Sequence, residues 1–404
     1  MYGAFGKLLI VDLSKMDIIE KELEQDLFTD YLGGRGLGSY LMTKMITPGV
    51  EPLSPQNVII FSTGPATDSG LSQASGYGIF TKSPSTGLFA ETYCTGSAVP
   101  LVKRTGYDAI IISGAAVKPS FITISELGVN FYDAAEIWGL NSSKAEESIL
   151  SAVGTLDSES LVIGKDGEDK LITAALISNC YGEIGQNGFG AVLGSKNLKG
   201  VVFRGNAKAT VFDPAGLSKW SKTMGSTVNS NNMAAAVISQ NQPPITMNEE
   251  GAASENGLSY KKLCSESLQS PAGVLVDYED RVNILNSLVV CHSDTSLMHW
   301  EDLITLMYLL TGKRFCVAGL RAASARIAST VRLFNLLEGT EGSEDLLPFS
   351  LMEESVSIDK KLSRDKKLEL MLKDYYLLRG WDEKGIPPWG KNDQDISRRT
   401  MKCL

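Results

Sequence analysis

Histidine is almost absent from this chain: His292 and His299 are the only two in 404 residues. A metal centre built from imidazoles is therefore excluded. Cysteine is scarce and scattered. The six thiols (Cys94, Cys180, Cys264, Cys291, Cys316 and Cys403) include no pair at C-x-x-C spacing. Closely spaced thiolates normally preorganise zinc or iron–sulfur sites, so no complete ligand set is legible, and each thiol reads as a small buried hydrophobe. Long apolar runs are missing too; none reaches the ~18–20 residues needed to cross a bilayer. The opening "MYGAFGKLLIVDLSK" has no long apolar stretch and no small-residue cleavage site, and Asp12 interrupts it. The expected location is the cytoplasm, with disulfides disfavoured. Positive charge is not in excess: the net charge is −9 and the isoelectric point about 5.0. A nucleic-acid binder needs a concentrated basic face, so that class is excluded.

What is present is an ordinary soluble composition, 43% hydrophobic and 21% charged, with a length that suggests two or three domains. Glycine divides the chain: 27 of the 39 fall in residues 1–208. The same half carries short β-like runs, "KLLIVDL", "NVIIFST", "YGIFTK", "AIIIS", "SFITIS", "SLVIG", "LITAALIS" and "KGVVFRG", many bounded by turn residues. Helical patterns interrupt them near 28–45, 97–105 and 142–153. The expected fold class is α+β, with a sheet-rich domain over 1–208. Residues 209–275 are polar and read as a linker or irregular segment. From 276 to 404 apolar residues recur at three- and four-residue spacing in 277–290, 299–312, 318–339 and 364–380. Gly312, Gly339 and Gly380 stand where C-terminal caps belong, so this part should be a helical layer.

Three glycine-rich stretches carry the candidate chemistry. "GQNGFGAVLGSKNLKG" (185–200) holds five glycines and two lysines. Exposed backbone N–H groups beside lysine suit a phosphate or another anion; the alternative is a pair of tight turns beside a sheet. "GGRGLG" (33–38) is not a dinucleotide fingerprint, because its spacing is wrong and it follows a helical pattern rather than a strand. A helix interrupted by a backbone contact fits it better. In "ASGYGIFTKSPSTGLFAETYCTGS" (74–97) a strand, a turn and a small-residue run precede a helix. Thr95, Gly96 and Ser97 could receive a phosphate there, or simply follow a hairpin as an N-cap.

Taken in order, "MYGAFGKLLIVDLS", "GGRGLG", "LSPQNVIIFSTGP", "TKSPSTG", "GYDAIIISG", "IWG", "IGKDGED" and "GFGAVLGSKNLKG" resemble the N-terminal domain of the aldehyde ferredoxin oxidoreductase family. The resemblance resumes with "TVRLFNLLEG", "DLLPF" and "YYLLRGWDEKGIPP". It implies a sheet-built base for a tungsten or molybdenum bis-pyranopterin whose phosphates are bridged by magnesium. The family oxidises aldehydes to carboxylic acids and passes electrons through a [4Fe–4S] cluster to ferredoxin. Carried over residue by residue, the cofactor-facing positions are Gly76, Tyr93, Thr95, Gly96, Gln186, Asn187 and Gly188, with Asn286, Val290 and Cys291 near the C-terminus. Several depart from the family pattern. Gly76 and Gln186 replace arginines, and Asn187 replaces a glycine. Each lost guanidinium removes a charge-assisted contact worth about 1.5–3 kcal/mol. "NSLVVC" stands where the family has D-x-x-G-L-C, so Asn286 replaces the acid, Val289 the glycine and Val290 the leucine. Cys291 keeps the cysteine position and is the only metal-ligand candidate. The C-x-x-C-x-x-x-C triplet is unmatched, and most of the central helical region is missing. A [4Fe–4S] cluster is therefore not expected in this chain, and no catalytic residue is assigned. Two functions follow from the resemblance. One is an aldehyde oxidoreductase working with ferredoxin or another electron-transfer subunit. The other is a non-catalytic paralogue that binds pterin or a small anion, forms a homodimer, or pairs with a full-length relative. Neither involves nucleic acid or membrane.

Overall fold

Apolar runs of four to six residues, punctuated by glycine and proline, become the inner strands of two sheets in the computed structural model. It describes residues 1–71, 74, 76–94, 100–154, 157–180, 182–185, 187–228, 270–291, 298–340 and 358–388. The first sheet contains β1 (Lys7–Asp12), β2 (Asp17–Glu22), β3 (Ile59–Ser62), β4 (Tyr77–Lys82), β5 (Phe89–Cys94) and β6 (Ala109–Ser113), in the order β2-β1-β6-β3-β4-β5. The second contains β7 (Ser120–Ser125), β8 (Gly128–Asp133), β9 (Glu159–Val162), β10 (Leu176–Ser178), β11 (Gly182–Ile184) and β12 (Leu198–Phe203), in the order β11-β10-β9-β12-β7-β8. Adding six to each strand number of the first sheet gives the second. β1–β6 and β7–β12 are the parallel pairs, and the other pairs are antiparallel. The domain is thus one β-β-α-β-β-β-α-β plan used twice, with a short extra helix after β2 in the first copy and after β9 in the second.

The sheets pack face to face. Leu9, Phe61, Ile79 and Ile110 meet Ile122, Leu161, Val201 and Phe203 in one core. Each outer face is covered by a twelve-residue helix from the corresponding place in its repeat: α2 (Gly34–Met45) on the first sheet and α4 (Ser142–Val153) on the second. Asn141 caps α4 by accepting from the Lys144 N–H at 3.0 Å, and left-handed Gly154 ends it. The helical pattern expected over 28–45 is broken. Here α1 (Leu27–Asp30) stops, Leu32 and Gly33 take positive φ, and α2 starts afresh. Only one turn, α3 (Leu101–Arg104), occupies the described part of the 97–105 pattern. Short helices α5 (Lys165–Glu168) and α6 (Phe189–Ser195) complete the N-terminal part.

Within the segment read as linker the chain forms α7 (Pro214–Val228), and residues 229–269 lie outside the described ones. The C-terminal layer is α8 (Pro271–Leu288), α9 (Trp300–Thr311), α10 (Val317–Leu337) and α11 (Ile358–Arg379). Helix α8 begins six residues earlier than its apolar spacing suggests. Ser270 accepts from the Gly273 N–H at 3.1 Å, and Pro271 sits in the first turn. Gly312, Gly339 and Gly380 all take positive φ at or just after helix ends. Leu285, Leu288, Leu306, Leu310 and Leu320 form a second core that reaches Leu32 and Ala66 of the N-terminal part.

Candidate functional site

The glycine and lysine residues of the sequence motifs are used to pack the chain. At Gly188 an added Cβ would lie 2.4 Å from Pro84 Cγ and 2.7 Å from the Ile172 carbonyl. At Gly190 it would strike the Ala175 carbonyl at 2.3 Å, and at Gly194 the Gly167 carbonyl at 1.8 Å. Both lysines of this segment turn inward. Lys196 Nζ donates to the carbonyls of Asn57 (2.5 Å) and Gly114 (3.1 Å), and burial draws its pKa down to about 7. Lys199 is ion-paired with Glu168 and donates to the Leu140 carbonyl at 2.9 Å. The bare backbone of residues 185–200 therefore admits other parts of the same chain, and neither ammonium is free for a phosphate.

Gly33 and Gly34 of "GGRGLG", together with Gly64, make room for the last turn of α8, whereas Gly36 and Gly38 meet Tyr31 and Phe80. A Cβ at Gly34 would meet the Asn286 carbonyl at 2.4 Å, and one at Gly64 the Leu288 carbonyl at 2.1 Å. The Gly36 N–H donates to Ser287 Oγ at 3.2 Å. This contact carries two residues expected near a cofactor. Asn286 is buried with its carbonyl against Gly34, and Val290 is buried with its N–H donating to the Leu285 carbonyl at 3.0 Å. Between them, Val289 occupies the left-handed region (φ 58°, ψ 52°) as the helix C-cap. Cys291 follows, half-buried.

The other expected residues are dispersed. The Gly76 carbonyl accepts from Thr67 Oγ1 at 3.0 Å, and the Asn187 carbonyl accepts from Ser83 Oγ at 2.9 Å. Tyr93 donates to Glu91 Oε2 at 3.0 Å; burial, reinforced by Glu91, pushes its phenol well above the usual range. Thr95, Gly96 and Gln186 lie outside the described residues.

A cavity of about 560 Å³ opens beside this junction, between α8, α10, α11 and the start of α2. None of the ten residues singled out in the sequence lines it. Leu275, Val282, Val331, Met371 and Leu372 form apolar walls, and Tyr375, Tyr376 and Trp381 add rings. Arg35, Glu279, Asn283, Arg332 and Asn335 bring polar groups. Arg35 pairs with Glu91 at 3.2 Å, while its Nε is buried without a hydrogen-bond partner. Glu279 accepts from Arg379 at 2.6 Å and from the Tyr375 hydroxyl at 2.7 Å. Arg379 also donates to Asp280 at 2.6 Å. Burial opposes its charge, but Tyr375, Asp280 and Glu279 outweigh that and keep it protonated. None of these residues was expected at a site from the sequence. The signals that could have found them were the arginine inside "GGRGLG" and the aromatic-rich "YYLLRGW".

A second polar cluster lies between the sheets. Tyr77 donates to Glu159, whose other carboxyl oxygen is buried without a partner. Burial pushes the Glu159 carboxyl up to about 8, so it is largely protonated at neutral pH. The neighbouring Cys94 thiol is raised by burial and by Glu159.

The profile of the aldehyde ferredoxin oxidoreductase N-terminal domain matches residues 8–205, and that of domains 2 and 3 of the same enzymes matches residues 220–394. The chain belongs to the aldehyde ferredoxin oxidoreductase family. It is 38% identical over 213 residues to the tungsten-containing aldehyde ferredoxin oxidoreductase of Pyrococcus horikoshii, a match covering 53% of this chain and 35% of that protein. It is 35% identical over 222 residues to an aliphatic sulfonate oxidoreductase, WOR-like subunit, of Pyrococcus furiosus, covering 51% of this chain and 35% of the relative. The chain thus spans about a third of the length of the curated relatives it matches. A solved structure described as the active site complex BamBC of benzoyl coenzyme A reductase with 1,5-dienoyl-CoA shares the fold. Its TM-score is 0.76 at 16% identity, over 99% of this chain and 97% of that one.

Tested against the cofactors of an aldehyde ferredoxin oxidoreductase, the described residues do not fit. A four-iron cluster needs four convergent thiolates. Here Cys94 is buried in β5, Cys180 and Cys316 are exposed, and no three Cys, His, Asp or Glu residues converge among the described ones. A pterin base needs open backbone. Of the glycines expected to face a pterin, Gly188 has its Cβ side closed by Pro84 and the Ile172 carbonyl.

Proposed function

We propose that this chain is a binding member of the aldehyde ferredoxin oxidoreductase family. It holds a small molecule at the helical junction and does not itself oxidise aldehydes. The observation that carries the reading is the seating of the last turn of α8 on Gly34 and Gly64, where protein backbone fills the space a flat cofactor would need. The altered "NSLVVC" segment and the inward-turned Lys196 and Lys199 support it. A shared fold does not carry a function once the site residues have changed. A cytoplasmic protein working beside a full-length relative suits the WOR-like subunit among its relatives.

The competing reading is a working tungsten or molybdenum oxidoreductase that passes electrons to ferredoxin or another subunit. It is favoured by the 38% identity of the N-terminal part to a tungsten enzyme. Elemental analysis of anaerobically purified protein for W, Mo, Fe and Mg, combined with viologen reduction by a short aldehyde, separates the two. The expected result is substoichiometric W and Mo, and no turnover. Near-stoichiometric W or Mo with aldehyde-dependent dye reduction would overturn the proposal.

A further inference from the structure

We infer that two copies of this chain pair edge to edge through β2, antiparallel about a two-fold axis at Ile19, so that their first sheets become one. The inference goes beyond the small-molecule reading above and does not depend on it. β2 is the outer strand of its sheet, and among the described residues no strand pairs with its free side. All six of its residues are exposed, so neither the second sheet nor a helix covers it. Six unbroken pairs join it to β1, from Lys7–Glu22 to Asp12–Asp17, with no bulge and no proline. Bulges and prolines are common means of blunting an edge, and this one has neither. Ile18 and Ile19, 39% and 41% exposed, stand on its opposite faces.

The backbone fixes which residues can bond outward. The Leu23 N–H donates to the Gly6 carbonyl at 2.8 Å, and the same ladder turns the backbone groups of Asp17, Ile19 and Lys21 toward β1. Those of Ile18, Glu20 and Glu22 therefore point to the free side. A two-fold axis perpendicular to the sheet pairs residues on the same face, so the register must be centred on a residue. Centred on Glu20, the axis opposes two carboxylates and sets Ile18 against Glu22. Centred on Ile18, it sets Asp17 against Ile19 and draws in Met16, whose φ of 53° lies outside the strand conformation. Centred on Ile19, it sets Asp17 against Lys21 on both sides of an Ile19–Ile19 pair. In that register Ile18 and Glu20 exchange backbone hydrogen bonds twice. Opposite charges and paired β-branched side chains are favourable across strands, and like charges directly opposed are not. The edge is thus complementary to itself in one register.

The test is sedimentation equilibrium of the full chain at about 0.15 M salt, where the net charge of −9 on each copy is screened beyond ~8 Å. One strand pair is a small interface, so half-association is expected at roughly 10–100 µM. The average mass should rise from 43.6 kDa toward twice that value. Asp17→Lys and Lys21→Asp should each weaken self-association about tenfold or more, because each opposes like charges. An equimolar mixture of these two variants restores both opposite-charge pairs and should associate at least as well as the parent. The double variant Asp17→Lys, Lys21→Asp should do the same with itself. All three changes lie on exposed positions, and circular dichroism checks that the fold is kept. Residue-resolved hydrogen exchange should show protection growing with concentration at Ile18 and Glu20, but not at Ile19 or Lys21, which already face β1. A chain that stays monomeric up to about 200 µM would overturn the inference. So would a dimer indifferent to the charge reversals, or single variants that fail to associate when mixed.

Discussion

The Lys82 ammonium donates to the Glu338 carboxylate with 6% and 3% of the two side chains exposed. Lys82 ends β4 in the "TKSP" segment, and Glu338 caps α10 in the "LLEG" segment, 256 residues later. Beside this pair the Phe89 N–H donates to Asn335 Oδ1 at 2.9 Å, and the Phe89 and Phe334 rings meet edge to face. Two segments that carry the family resemblance thus tie the sheet domain to the helical layer. A buried ion pair costs desolvation, and removing one partner leaves the other charge unanswered. Glu338→Ala should lower stability by about 3–5 kcal/mol, read from urea unfolding. The double variant Lys82→Met, Glu338→Leu should recover most of that loss.

Gly64 is the narrowest point of the contact with α8. Gly64→Ala would put a methyl 2.1 Å from the Leu288 carbonyl, which is backbone and cannot rotate away. The expected cost is about 3 kcal/mol. Hydrogen exchange should speed up in α8 while amides of β3 and β6 remain protected, because their ladders do not depend on that helix.

Val289 holds a backbone conformation that suits glycine. Left-handed backbone costs roughly 1–2 kcal/mol in an L-residue and is especially unfavourable for a β-branched one. Burying the valine returns a similar amount. Val289→Gly should therefore leave stability within about 1 kcal/mol of the parent. Val202→Gly, in the extended backbone of β12, should cost roughly 3 kcal/mol or more. Parallel thermal melts of the two variants check this.

Glu159 makes the protein sensitive to mild alkali. Its folded pKa of about 8 lies above the unfolded value of 4.5, so the native state binds more protons between these values. Stability from this group is fully present below pH 4.5 and is lost as pH rises through about 8. The loss should be on the order of 3 kcal/mol. Glu159→Gln keeps an acceptor for Tyr77 and removes the titration. Its unfolding free energy should lack this fall when urea curves at pH 5 and pH 8.5 are compared with those of the parent.

The sequence runs that read as strands are the eight inner ones, and the other four, β2, β5, β8 and β11, are the sheet edges, with β5 foreseen only as the second arm of the hairpin alternative over 74–97. The reason is physical. Inner strands such as β4 and β12 are buried along their whole length and read as apolar runs, whereas β2 is exposed at every position and spells "DIIEKE". The long C-terminal helices and α4 were legible from their spacing, but α1 and α2 read as one helix that in fact breaks at Leu32 and Gly33, α7 forms in the segment read as a linker, and short α5 and α6 were not read as helices. The candidate site was read less well. Five glycines and two lysines in 185–200 look the same whether the close neighbour is a phosphate or the carbonyl of Gly167, because both require a missing side chain. Arg35, Glu279, Arg379 and Tyr375 come together from three distant segments, and no local spacing announces that.

The doubled strand order has a consequence for dividing the chain. Each sheet completes its own ladders, and the passage between them runs through Val117, 94% exposed. A nick beside Val117 severs no strand pair. It leaves the first six strands on one fragment and the other six on the second, with apolar faces complementary to each other. Produced as separate polypeptides, the two pieces keep those complementary faces, and their co-purification after mixing would show that they rebuild the sandwich.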